Sequence, residues 1–137
     1  MILLDTGPIV AFFDASDGYH KECVRLLKEI EEPLITSWPV ITEAFYLLGF
    51  SWKAQNALWE FILRGGVAIA PLDPKMQARC RVLMEKYRDL PMDLADASLV
   101  AIAEAMAIRR VFTLDHKDFT VYRAQDRRQF KLLPHSL

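Results

Sequence analysis

The 137-residue chain predicts an α/β fold, a three-layer α/β/α sandwich built on a central, mainly parallel sheet. Three observations lead there. Short unbroken apolar runs such as MILL at 1–4 read as strands buried on both faces, the pattern of parallel sheets. These runs alternate with stretches whose apolar residues recur at helical spacing, in the order β α α β α α β α α β β. Finally, residues 92–115 read as a nearly all-apolar helix feeding directly into a strand. Between Leu94 and Ile108 its only charges are Asp96 and Glu104, and six residues are alanine. A helix apolar on every face is buried, and its small side chains let a neighbour approach closely.

The first strand, residues 1–4, stops at Asp5. Thr6-Gly7-Pro8 then turns the chain into a short helix over 9–13, and residues 14–18 form a polar break. From Tyr19, the spacing of Cys23, Leu26, Leu27 and Ile30 predicts a helix ending at Glu31-Glu32-Pro33. Leu34–Thr36 is a second strand. Pro39, suited to a first helical turn, opens a helix that runs to Leu48 and stops at Gly49. Residues 52–64 form another helix, closed by Gly65-Gly66. Val67–Ala70 is the third strand, and 74–87 a helix with Met76, Cys80, Leu83, Met84 and Tyr87 inward. The alanine-rich helix and the strand Val111–Leu114 follow, with Asp115 at the strand's end. Residues 116–129 read as polar, basic loop and turn, before a last strand over 130–133.

Length and composition predict one domain with a proper core, 53% apolar and 26% charged. The net charge is −1, from 17 basic and 18 acidic residues, so no global basic field points to nucleic acid. Gathering four acids into one site leaves 18 − 4 = 14 acids against 17 bases, a mildly basic body around an acidic hole. Such a surface can hold a polyanion once a cation fills the hole. Cys23 and Cys80 show no metal-ligand spacing, so structural zinc is not expected. No secretory signal is visible and no apolar run approaches the ~20 residues of a membrane span. The cytoplasm is the expected compartment.

In an open parallel sheet the functional crevice lies beyond the carboxyl ends of the strands. Asp5 ends the first strand and Asp115 the fourth. Glu43 is the lone charge in PVITEAFYLLG, one turn into the helix after the second strand, and Asp96 lies in the first turn of the alanine-rich helix. All four start from one edge of the sheet. Four neighbouring carboxylates cannot all stay ionised without a cation, because like charges raise one another's pKa. With no Cys or His among them, the oxygen donors point to Mg²⁺ or Mn²⁺. Such an ion polarises a phosphoryl oxygen and activates a water, as phosphodiester hydrolysis requires.

Each residue also has a plainer explanation. Asp5 is equally well a cap for the turn after it. Asp93 and Asp96, three apart after a proline, fit an N-cap and an N3 acid, and capping is the preferred reading for Asp93 but not for Asp96. A single helical glutamate such as Glu43 usually faces water, and Asp115 and Asp118 suit a turn. Thr6, Ser98 and Thr113 are hydroxyl neighbours able to orient the acids, or ordinary packing residues. His116 adjoins Asp115 and is placed to touch substrate, or is simply solvated. Lys117, Arg123, Arg127, Arg128 and Lys131 put a basic run beside the acids, a solvated face by default but well placed for phosphates.

Taken in order, LLDTGPIVAFFD, the Glu43 helix, DLADASLVAIAEAM and VFTLDHKDF resemble the PIN domain, and within it the VapC-like toxin ribonucleases, across essentially the whole chain. The resemblance implies a Rossmann-like sheet of order 3-2-1-4-5 and an acidic Mg²⁺ or Mn²⁺ site cutting single-stranded or structured RNA to 5′-phosphate and 3′-hydroxyl ends. It places the family's acids on Asp5, Glu43, Asp96 and Asp115, its Thr/Ser on Thr113, and its trailing acid on Asp118. Asp93 is an extra acid that leaves the division of labour with Asp96 open. Gly7-Pro8 stands where the family often has a serine and an aliphatic residue. The resemblance also implies a homodimer and a small cognate antitoxin. Phe45, Tyr46, Phe50, Trp52, Trp59 and Phe61 crowd two consecutive helices, as either an exposed partner patch or an aromatic core.

Two other readings stand beside this one. A haloacid-dehalogenase-type phosphatase also carries acids at strand ends, but Gly7 occupies the position two after Asp5 where that chemistry needs a second aspartate. A catalytically silent PIN-like scaffold binding RNA or protein would be expected to have lost at least one of the four acids.

Overall fold

The computed structural model describes residues 1–124 and 128–136. Five strands, β1 (Ile2–Leu4), β2 (Leu34–Thr36), β3 (Ala68–Ile69), β4 (Arg110–Phe112) and β5 (Lys131–Leu133), form one sheet in the order β3-β2-β1-β4-β5. Every pairing is parallel, with Ile2 opposite Leu34 on one side and Arg110 on the other. The strands are only two or three residues long, and β1 and β2 are buried throughout. Their continuous apolar character follows from helices covering both faces. The one buried hydroxyl in β2, Thr36, donates to the Leu4 carbonyl at 2.7 Å.

The connections are α1 (Thr6–Phe13) and α2 (His20–Glu29) after β1, α3 (Trp38–Leu47) and α4 (Trp52–Leu63) after β2, α5 (Pro74–Lys86) and α6 (Leu94–Met106) after β3, and α7 (His116–Val121) after β4. Two differ from the sequence expectation. Thr6, Gly7 and Pro8 are already helical, because the first four N–H groups of a helix have no internal partner and proline there gives up nothing. The expected loop after Asp115 contains α7. Asp115 caps it by accepting from the Asp118 N–H at 3.1 Å, and Phe119 anchors it in the core.

In α6, Ala95 and every residue from Ala97 to Ala103 are buried, as a helix without a polar face must be. It packs against α5 and α3. Glu104 near its end is met from α5 by Arg79, whose Nε and Nη2 each donate to one carboxylate oxygen at 2.9 Å. Ser98 ties α6 to the start of α3, its Oγ 2.6 Å from that of Ser37, the α3 N-cap. Cys23 and Cys80 are free buried thiols. Of the aromatic group, Tyr46, Phe50 and Trp52 are more than two-thirds exposed or nearly so (82, 67 and 68%). Phe45 and Phe61 are partly buried against the core, and Phe45 stacks on Trp59 with ring centroids 4.7 Å apart. The patch and the core readings therefore divide the group between them. Among the described residues, no helix is long and apolar enough to cross a membrane.

Helix α6 ends on Ala107 with φ 54°, ψ 41°, a left-handed conformation that costs an L-residue with a Cβ roughly 1–2 kcal/mol and that glycine adopts freely. Ala107 is exposed, so Ala107→Gly is expected to stabilise the protein by about 0.5–1 kcal/mol. Urea denaturation checks this; an unchanged or lowered midpoint would contradict it.

Candidate active site

The strand order reverses at β1, which pairs with β2 on one side and β4 on the other, so the chains leaving β1 and β4 diverge and open a crevice. A cleft of about 510 Å³ lies there, lined by Asp5, Thr6, Asp17, Glu43, Asp93, Asp96 and Asp115 among others. Asp5 follows β1 directly and is buried. Its Oδ1 accepts from the Thr6 N–H at 2.8 Å, capping α1, and its Oδ2 accepts from the Thr113 hydroxyl at 2.7 Å. Thr113 Oγ1 in turn accepts from the Asp115 N–H at 2.9 Å. One buried threonine thus fixes the acids of two adjacent strands relative to each other.

Asp93 and Asp96 have separate tasks. Asp93 is the N-cap of α6, its Oδ1 accepting from the Asp96 N–H at 2.8 Å. Asp96, in the first turn, turns its Oδ2 to the hydroxyl of Tyr122 at 2.9 Å. Carboxylate oxygens of Asp96, Asp115 and Asp118 all lie within 4.8 Å of one another, close enough to share an ion. Asp118, expected as a trailing acid, is therefore in the tightest group, while Asp5 and Glu43 line the same cleft outside it. Glu43, on α3, is half-buried, and its charge acts on Asp5.

Other expected neighbours point elsewhere. The Ser98 hydroxyl donates to the Ala95 carbonyl at 2.7 Å and pairs with Ser37, because it sits on the buried side of α6, and it does not orient the acids. The Thr6 hydroxyl faces the Val40 carbonyl at 3.5 Å; only its backbone serves Asp5. His116 is half-buried, and its Nε2 is shut from solvent without a hydrogen-bond partner among the described residues. It is not the solvated surface histidine that its polar neighbours suggest. In the basic run, Lys117 is exposed beside the acids. Arg123 donates instead to the carbonyls of Thr120, Val121 and Tyr122, and Arg127 lies outside the described residues. Sequence reasoning missed Asp17 and Tyr122. A tyrosine after a TLDHKDF run carries no local signal that it reaches back to Asp96.

The electrostatics follow from this crowding. Burial, then the charges of Glu43 and Asp115, raise Asp5 from 3.8 to about 6, against the lowering effect of its two hydrogen bonds. Burial, then the charges of Asp5 and Asp93, raise Asp96 to about 8. Asp118 is raised too, by burial and by Asp115. The Tyr122 phenol is pushed up by burial and by Asp96, so it remains a donor. Three hard oxygen donors from separate side chains, with no nitrogen or sulfur among them, fit a divalent cation of the magnesium type. Acids reluctant to ionise alone are what such a cation relieves.

The PIN domain model matches residues 2–124. The chain belongs to the PIN-domain family. Among proteins similar to this PIN domain, Ribonuclease VapC26 of Mycobacterium tuberculosis is 24% identical over 135 residues, covering 97% of this chain and all of that one. In three dimensions it is similar to VapC20 of Mycobacterium tuberculosis, described as a sarcin-ricin-loop-cleaving toxin. The TM-score is 0.74 at 19% identity, covering 85% of this chain and 91% of that one.

The raised acids make the PIN domain's own stability depend on pH. A carboxyl group whose folded pKa exceeds its unfolded value favours the folded chain fully below the unfolded value, and that advantage disappears as pH rises through the folded one. In chelator the melting temperature should therefore fall between pH 4 and 8, through the values of about 6 for Asp5 and about 8 for Asp96. Asp96→Asn should flatten the upper part of this decline and melt about 4 °C or more above the parent at pH 8. Differential scanning calorimetry decides it; parallel pH profiles for the two proteins would show that Asp96 is not strained.

Proposed function

We propose that this PIN domain is a metal-dependent endoribonuclease of the VapC toxin kind, hydrolysing phosphodiester bonds in RNA. The observation that carries the reading is the approach of Asp96, Asp115 and Asp118 to within 4.8 Å of one another, the first two lining a cleft with Asp5 and Glu43. These three acids, backed by Asp5, would hold one or two Mg²⁺ or Mn²⁺ ions, with Glu43 acting directly or through a water. A bound ion supplies charge stabilisation at the phosphoryl oxygens and an acidified water for in-line attack on phosphorus.

The chain's own groups have separable parts in this reaction. Thr113 keeps Asp5 and Asp115 in register through its hydroxyl, so the reacting groups need not be reorganised when substrate arrives. The Glu43 carboxylate lies on the cleft wall, half-buried, and when it meets the ion only through a water it would take that water's proton. Lys117, exposed next to Asp115, offers a cation to the RNA backbone.

Two protein partners complete the proposal, a second copy of the chain and a small antitoxin, and the exposed Tyr46, Phe50 and Trp52 offer apolar surface for them. The setting is the cytoplasm, where both RNA and antitoxin are found. The relatives' names support a toxin ribonuclease, and the RNA cut is a property of loop shape and surface charge around the cleft.

Incubation of the purified protein with a pool of defined RNAs and Mg²⁺ or Mn²⁺ tests the reading. Cleavage is expected, abolished by EDTA and lowered at least ~100-fold by Asp5→Asn or Asp96→Asn, more than loss of a supporting residue typically costs. Cleavage indifferent to both treatments would refute the acidic site. RNA binding without cleavage would make the protein a scaffold, and phosphate release from a small ester would make it a phosphatase.

A further inference from the structure

Tyr122 is fully buried, yet its hydroxyl reaches the acidic cleft. Its ring is held edge-on by Tyr87 and by Phe119, with centroids 5.1 Å away in each case. In that setting the hydroxyl donates to Oδ2 of Asp96 at 2.9 Å. Asp115 is restrained in a similar way, its Oδ1 accepting from the Asp118 N–H at 3.1 Å. Each of these two acids therefore has one oxygen engaged by a protein donor.

We propose that Tyr122 is the positioning residue of the cation site, holding Oδ2 of Asp96 so that the carboxylate presents Oδ1 to an ion. The inference rests on the reading of Asp96, Asp115 and Asp118 as cation ligands. A carboxylate held to one oxygen suits the octahedral, short-bonded Mg²⁺ type of ion. It disfavours Ca²⁺, which takes more oxygens and often both from one carboxylate. The tyrosine also closes the far end of α7, whose near end carries Asp115 and Asp118. Its bond to Asp96 thus sets the distance between α6 and α7, and with it the spacing of all three acids. A ligand already held in place loses little freedom when the ion arrives, which is how supporting groups raise affinity.

Tyr122→Phe keeps the ring and removes the hydroxyl. With no RNA present, free Mn²⁺ is counted by electron paramagnetic resonance during titration of the protein. The variant is expected to bind Mn²⁺ about 10–100-fold more weakly than the wild type, and to lose it more readily to added Ca²⁺. Tyr87→Phe serves as the control, since its hydroxyl accepts from the Arg123 N–H at 3.0 Å within the same aromatic cluster; it should bind Mn²⁺ as the wild type does. A purely structural tyrosine would lower the melting temperature in chelator while leaving Mn²⁺ affinity and the Ca²⁺ preference alone, and that result overturns the proposal. Should Tyr122→Phe fail to fold, wild-type protein labelled with ¹³C at tyrosine Cζ carries the test. Mg²⁺ must then shift the Tyr122 resonance, and a spectrum that does not move overturns the proposal equally. A wild type that binds Mn²⁺ as described but cuts no RNA would remove the ribonuclease reading and leave Tyr122 in its role.

Discussion

Like charges held close together at one edge of a sheet are the condition around which this protein is built. Asp5, Asp93, Asp96 and Asp115 line one cleft, and Asp118 stands beside the last two. Isolated from water, such a group would rather be protonated than charged, and Asp5 and Asp96 are displaced in that direction. What makes the arrangement tolerable is that the acids also serve as helix caps. Asp5, Asp93 and Asp115 each accept a backbone N–H at the start of α1, α6 and α7. Those N–H groups need an acceptor, and a helix start favours negative charge. The capping and the clustering readings of these residues are therefore complementary: the caps are how the cluster is held.

Parallel topology explains why the caps converge. Every strand of the sheet runs the same way, so the helices that follow β1, β2 and β4 begin at one edge. Only a dry, closely packed interior keeps them there. The alanines of α6 let it lie deep in the molecule, the Ser37–Ser98 pair binds its first turns to the start of α3, and Arg79 satisfies the Glu104 carboxylate at the other end. Thr113 then joins Asp5 to Asp115 across the strand pair. Rigid elements beneath a strained site are the usual way precision is obtained where the site itself opposes folding.

The exterior follows different rules. Tyr46, Phe50 and Trp52 remain open to solvent although the same helices bury Val40, Ile41, Ala44 and Leu58. The inner faces of α3 and α4 are thus satisfied by the protein's own core, and the outer aromatics are left exposed. Positive charge is likewise local. With a net charge of −1, any attraction of RNA must come from groups such as Lys117 beside the cleft, and it must act against the acids until a cation neutralises them.

The sequence by itself determined the order of the strands and of every helix but α7, the buried alanine-rich helix and the edge on which Asp5, Glu43, Asp96 and Asp115 fall. Those features are written in apolar periodicity and in residues next to strand ends, which are local signals. It also indicated that Asp93 was a cap, because an acid three residues before another at a helix start has a local partner. Only the tertiary structure decided that Asp118 joins Asp96 and Asp115, that Ser98 turns to Ser37, and that Tyr122 crosses from α7 to Asp96. Each of those is a contact between side chains on different elements, and its partner is set by how helices pack, which neighbouring residues in the chain do not encode. The helix α7 belongs with these: Asp115 and Asp118 suited a turn, and a six-residue helix is stable only because Phe119 and Tyr122 find a core to enter.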